Sequence, residues 1–338
     1  MPEMNHWERV EAALAGAPTD RAPVALWKHF PDDDLDPVKL AAHSVRWQNR
    51  WDFDLVKFMP SGMYGVEDWG TLTAYKGAAN GARESVQPAV TRAEDWRRLK
   101  PLDTRHGSYG RQNEALAMTA RELGGTVPIL QTVFSPLTTA RKMSSERLLA
   151  DLRRDPEAVE HALQVITDVT IQFALQALQV GAHGMFFATQ LASYRLLTTQ
   201  EYERFGRRFD LQIFEALKGK AKFNMLHIHG DDIMFDLLSG YPAEMLNWHD
   251  RLTEPSLGQA CARFQGLLVG GVNEHGTLVK ASEGEIEAEV REALAQTEGR
   301  RLMIGPGCVL PVRVSDAQIE AVLRGAQGRG PTHGSSRT

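Results

Sequence analysis

Short apolar or β-branched runs recur along the chain, most of them followed by a segment with helical periodicity. In order they are APVALWKH (22–29), DLVKFMP (54–60), VPILQTVF (127–134), HGMFFAT (183–189), FNMLHIH (223–229), EMLNWH (244–249), LLVGGV (267–272) and RLMIGPG (301–307). Between them, residues 155–181, 198–219 and 283–297 carry apolar positions three or four apart, the spacing of amphipathic helices. Near-continuous apolar strands alternating with such helices predict a parallel sheet covered by helices. Eight units favour a closed (β/α)8 TIM barrel, with an open doubly wound sheet as the alternative.

The repeat is interrupted once. Residues 61–126, between the second and third runs, are too long for a loop. GTLTAYKG and ARESVQPAV read as a small antiparallel excursion, and LDTRHGSYGRQNEALAMTARELGG reads as a helix. The expectation is therefore one barrel domain over residues 1–325 with an insertion at about 61–126. Residues 326–338 are small and polar and read as a disordered tail.

Polar side chains collect where the apolar runs end. Those ends carry Lys28, His29, Lys57, Gln131, Thr189, Gln190, His227, His229, His249, Asn273, His275 and Cys308. In a barrel the strand ends converge on one rim, which is where such folds place their active sites. FNMLHIHG is the most telling of them. Alternation along a strand puts His227 and His229 on the same side, at the point where strand gives way to loop. Imidazole and thiolate are ligands that zinc prefers, and His227, His229 and Cys308 would leave a fourth position open, as catalytic zinc sites do. Asp231 and Asp232 follow at once and are candidates to orient an imidazole through its second nitrogen. The competing reading makes the histidines hydrogen-bonded rim residues and Cys308 an inert small hydrophobe.

Composition narrows the class. The 338 residues have a net charge of −5 and no basic block, which argues against a nucleic-acid partner. No stretch approaches the roughly 18 apolar residues of a membrane span, and the N-terminus lacks the layout of a secretory signal. Two cysteines, Cys261 and Cys308, make no disulfide framework. Cys261 lies in a helical-looking segment and reads as core. A cytoplasmic enzyme is the expectation.

From RAPVALW through GGVNEHG to IGPGCVLP the chain resembles the uroporphyrinogen decarboxylase superfamily, which includes zinc-dependent corrinoid:thiol methyltransferases. MLHIHGDDI is similar to the H-x-C-G-[DN] segment of the methyltransferase branch, and MIGPGCVLPVRVSDAQIEAV to its late G-C-G-x-P segment. The resemblance implies one Zn2+ per chain, held by His227, His229 and Cys308. It departs at His229, where that branch usually has cysteine. The decarboxylase branch fits less well. In place of its arginine-rich opening stands WKHFPDDD, a poor receiver for a poly-anionic porphyrin, and Lys57 stands near its aspartate.

The resemblance implies a zinc-dependent methyl or alkyl transferase, in which a thiol or similar nucleophile attacks a methyl group carried by a corrinoid such as methylcobalamin. Its rival is a metal-assisted decarboxylase or hydrolase of a small carboxylated substrate other than uroporphyrinogen. A corrinoid- or metabolite-binding protein without catalysis is the third class. No D-x-H-x-x-G corrinoid signature occurs, so the corrinoid would be free or on a partner protein. Lys57 and His249 are the candidate catalytic groups, His249 also being a candidate fourth ligand. Tyr64, Gln190 and His275 are candidate substrate contacts by position. WKHFPDDD could close over the mouth or be a solvated turn. A homodimer is left open.

Overall fold

The computed structural model describes residues 2–327. Its main sheet is parallel throughout, with strands β1 (Val56–Phe58), β4 (Ile129–Phe134), β5 (Gly184–Thr189), β6 (Met225–Ile228), β7 (Met245–Trp248), β8 (Leu267–Val272) and β9 (Leu302–Pro306) side by side in that order. Each strand falls inside one of the apolar runs. The first run, 22–29, closes the ring without forming a full ladder. Ala25 N donates to Ile304 O (2.9 Å), Ile304 N to Pro23 O (2.8 Å) and Asp54 N to Val24 O (2.8 Å). Pro23 has no N–H to give, which helps keep the pairing this short. The fold is the TIM barrel that the run count favours.

Period-two alternation sorts each strand's side chains between two cores. Leu226, Ile228, Leu246 and Trp248 face the helices. Met225, Met245, Leu267 and Met303 fill the barrel interior, together with Val10 and Ala13 of the N-terminal helix His6–Ala15, which plugs the lower end. That helix starts at a capping box, Asn5 with Glu8. The same alternation carries the sequence upward from Met225 to His227 and His229 on one interior line.

The interruption takes the form expected of it. β2 (Leu72–Tyr75) and β3 (Arg83–Gln87) make an antiparallel hairpin, and Gly107–Leu123 is helical. This helix packs against Pro37–Trp51, so it serves as the crossover helix that precedes β4. The segment 198–219 is less regular than its periodicity suggests. A π turn at Glu203–Arg207 separates Thr199–Tyr202 from Arg208–Leu217. Gly206 lies at this turn, where a Cβ would come within 2.6 Å of the Tyr202 ring. Tyr202 in turn donates to the buried Asp210 (2.9 Å). Ala326 and Gln327, assigned to the tail from sequence, complete the last helix, Asp316–Gln327; the rest of that tail lies outside the described residues. No helix among the described residues is long and apolar enough to cross a membrane.

Candidate metal centre

His227 is the penultimate residue of β6 and points inward, His229 follows it on the same line, His249 follows β7, and Cys308 follows β9. One donor atom from each lies within 4.8 Å of every other. His249 Nε2 is 3.2 Å from His229 Nδ1, and Cys308 Sγ is 3.6 Å from the same nitrogen. Zinc–nitrogen and zinc–sulfur bonds of ordinary length give tetrahedron edges of about 3.3–3.7 Å. The cluster therefore has the donor types of a zinc site, and the two edges that meet at His229 Nδ1 have its spacing. His249 stands at the vertex that the sequence left open.

Two buried residues aim the imidazoles. Asn247 Nδ2 donates to Val269 O (2.8 Å) and Pro306 O (3.0 Å). This fixes its amide so that Oδ1 faces His227 Nδ1 at 2.6 Å. An oxygen there requires the proton on Nδ1 and leaves the Nε2 lone pair for the cluster. Behind His249, Glu274 Oε1 lies 3.3 Å from Nδ1. The other oxygen, Oε2, accepts from Gly307 N (3.0 Å). Glycine is required at 307, since a Cβ would sit 2.9 Å from His249 Cα. Asp231 and Asp232, expected from sequence to orient an imidazole, do not. Asp231 pairs with Arg195 at 3.1 Å on the surface, and Asp232 is exposed at positive φ (48°). The turn after Gly230 carries both away from the rings.

Protonation follows this packing. Burial would push the Cys308 thiol up, but hydrogen bonds from His227, His229 and His249 prevail and hold it well below its ordinary value. Burial lowers His227. It would lower His249 too, but Cys308 and Glu274 raise that ring to about 10. A thiolate that holds a proton among three imidazoles is the donor set that a divalent cation takes over when it displaces that proton.

The cluster lies in the wall of a cavity of about 280 Å³. Phe186 stacks on His227 (centroids 5.3 Å apart) and also carries Lys57 Nζ 4.2 Å from its ring centre. Lys57 is buried, and that burial pushes it down to about 7. Lys142, from helix Pro136–Ser144, lines the same cavity. It donates to Gly62 O (2.5 Å), and burial brings it to about 7 as well. His29 lines the cavity, lowered to about 3 by burial and by Lys57. The hairpin brings Asn80, Ala82 and Arg83 over the mouth. Arg83 Nε is held by the buried Asp34 (3.0 Å), whose burial raises it to about 6. The third acid of WKHFPDDD thus anchors the cover; it is not a solvated turn residue.

Of the sequence candidates, Lys57, Gln190, His227, His229 and Cys308 line this cavity, and His249 joins through the cluster. Tyr64 and His275 are not brought to it. Tyr64 is core: its hydroxyl donates to Thr132 O (2.9 Å), and its ring packs against Tyr109, Phe134 and Phe173. His275 is half exposed on the loop after β8, its Nε2 3.8 Å from Glu274. Lys28 turns away, donating to Val312 O (2.9 Å). Sequence reasoning missed Lys142 and Asn247. Asn247 had a signal, since it faces inward two residues before His249 in LNWH.

The family model for uroporphyrinogen decarboxylase (URO-D) matches residues 5–328. The chain belongs to that family. Among curated proteins it is 25% identical over 349 aligned positions, covering 96% of this chain and 98% of the other, to the methylcobamide:CoM methyltransferase MtaA of Methanosarcina barkeri. It is 22% identical over 244 positions, 68% of this chain and 72% of the other, to the methylcobamide:CoM methyltransferase MtbA of Methanosarcina acetivorans. A solved methyltransferase from Methanosarcina mazei superposes with a TM-score of 0.81 at 19% identity, covering 96% and 98% of the two chains. A B12-independent methionine synthase from Shewanella sp. W3-18-1 superposes with a TM-score of 0.58 at 14% identity, over 92% and 94%. Both structural likenesses are of fold. The methyltransferase relatives agree with the branch that MLHIHGDDI and IGPGCVLP resemble.

Proposed function

We propose that this URO-D family protein is a zinc-dependent methyl or alkyl transferase, in which a thiol acceptor takes a methyl group from a corrinoid, free or on a partner protein. The observation that carries the reading is the convergence of His227, His229, His249 and Cys308, with one donor atom of each within 4.8 Å of every other. Those four residues would hold the ion, with Asn247 and Glu274 fixing two of the rings, and a thiol would reach it by displacing one of them or as an added ligand. Bound there, zinc lowers the pKa of a thiol and supplies a Lewis acid.

The remaining work falls to the chain itself. Phe186, Ala188, Met59 and Val309 wall the cavity with apolar surface beside the cluster. The acceptor sulfur loses its proton to solvent and forms a bond to the methyl carbon. The carbon–cobalt bond breaks with its electron pair left on the corrinoid. The donor must reach the mouth from outside, and the mouth suits a docked carrier. The exposed large apolar side chains of the described residues, among them Tyr194, Leu252 and Val279, lie on segments that follow barrel strands or on the hairpin. A cytoplasmic location and a single domain over 1–325 belong to this reading.

One observation favours the rival. A set with three imidazoles and one thiolate resembles water-activating sites more than thiolate-rich ones do, which suits a metal-assisted decarboxylase or hydrolase. The zinc-loaded protein, mixed with methylcobalamin and a panel of small thiols, should transfer the methyl group, followed by the absorbance of the demethylated corrinoid. Transfer to no thiol, together with carbon dioxide release or hydrolysis of a carboxylated substrate, would replace the transferase reading.

A further inference from the structure

Lys57 and Lys142 lie in one cavity under unusual conditions. Lys57 Nζ has a single polar neighbour, the thioether of Met59, and otherwise sits over the rings of Phe186 (4.2 Å) and Trp27 (5.6 Å). Lys142 Nζ has one carbonyl, Gly62 O at 2.5 Å, and lies 3.2 Å from the Phe134 ring centre. An ammonium carries three donors, so both are underfilled. Among the described residues neither lysine is paired with a carboxylate, and no Asp or Glu lines the cavity. Arg83, the third cation there, is already matched by Asp34. The remaining anion nearby is the Cys308 thiolate, which the metal would claim. His29, in the same wall, keeps a buried Nδ1 with no partner.

The geometry points to an anion subsite, formed by Lys57 and Lys142 with His29 beside them, that takes the doubly charged oxyanion head of the small substrate. Two unmatched cations call for two negative charges, so a dianion such as a phosphate monoester fits and a monoanion leaves one cation unanswered. Burial brings both lysines near neutrality in the free protein. A dianion arriving at neutral pH therefore restores their protons as it binds. The word acceptor for this substrate rests on the transferase reading; the subsite itself does not.

Ethyl phosphate and ethyl sulfate have nearly the same shape and differ by one charge, so they make a clean pair of probes. Calorimetry on the whole protein, metal-free and metal-loaded, should show saturable ethyl phosphate binding near pH 7.5, where the second phosphate pKa of about 6 leaves it dianionic. Ethyl sulfate should bind about tenfold more weakly or worse. Lys57→Met and Lys142→Met should each weaken ethyl phosphate by about tenfold or more, the usual scale for a charge-assisted hydrogen bond. Lys142→Arg should retain most of the affinity. Because Lys57→Met removes an unmatched buried amine, its melting temperature should equal or exceed the parent's.

Equal affinity for the two probes, no saturable binding of either, or unchanged binding in both methionine variants would overturn the subsite. So would a fall in melting temperature in Lys57→Met with ethyl phosphate binding intact, since that would make the lysine structural. Ethyl phosphate binding to a protein that takes up no metal would leave the subsite standing and remove the transferase reading. Metal uptake and methyl transfer without phosphate binding would do the reverse.

Discussion

At the N-terminal end of the barrel Asp54 is wholly buried and both its oxygens are filled. Oδ1 accepts from Arg9 (2.6 Å) and Arg21 (3.1 Å) and meets His6 Nδ1 at 3.0 Å, while Oδ2 accepts from Arg21 (2.6 Å) and Val24 N (2.8 Å). At the C-terminal end, Lys57 has no carboxylate, and the buried His29 Nδ1 has no hydrogen-bond partner. Both ends bury charge, but only the lower one completes it. A fold tolerates unfinished polar groups where something other than the chain finishes them. The lower end is thus built for stability and the upper end for occupancy, and variants at the two ends should fail in different ways.

The largest effect on stability is expected below. Asp54→Asn leaves the Arg9 guanidinium buried with Asp20 as its remaining carboxylate partner. The loss should be about 3 kcal/mol, the low end for breaking a buried ion pair, read by denaturant unfolding. Burial alone would raise the Asp54 carboxyl, but bonds to His6 and Arg21 hold it below its ordinary value. Its contribution is therefore complete above the unfolded carboxylate value of about 3.9 and is lost as the pH falls below that. The variant should lack this limb of acid unfolding. A variant as stable as the parent would dissolve the contrast between the two ends.

The middle of the range lies above. Asn247→Ala and Glu274→Gln remove groups that aim His227 and His249, and should weaken metal affinity by about 10- to 100-fold, measured by competition with a chelator. Affinity unchanged in both would show that the ring orientations owe nothing to these neighbours.

The smallest effects sharpen the boundary of the upper region. Tyr64→Phe removes one buried hydrogen bond to Thr132 O and should cost about 1 kcal/mol with metal binding intact. His275→Ala should change neither stability nor metal content. A loss of metal in either variant would redraw the site.

Much of the upper region was legible in the sequence because strands impose a period of two. Met225, His227 and His229 had to share an interior line once β6 was recognised, and the ends of the apolar runs had to meet at one rim once the barrel closed. The end of the last apolar run supplied the distant Cys308, and the family resemblance agreed with it. What stayed hidden depends on tertiary burial. Lys142 sits in TARKMSSE, which reads as an ordinary solvated helix face, and only the packing of that helix turns it into the cavity. Adjacency misled at Asp231 and Asp232, because a turn at Gly230 (φ 106°) swings the chain outward. The carboxylate that does sit behind an imidazole, Glu274, arrives from the next strand.

The central claim is that three imidazoles and a thiolate share one divalent ion. Elemental analysis of protein purified without chelator, beside His227→Ala and Cys308→Ala, tests it directly. The expected result is one zinc per parent chain and little or none in either variant, with both variants still folded. A parent that takes up no stoichiometric metal when offered zinc, or variants that retain it, would contradict the account.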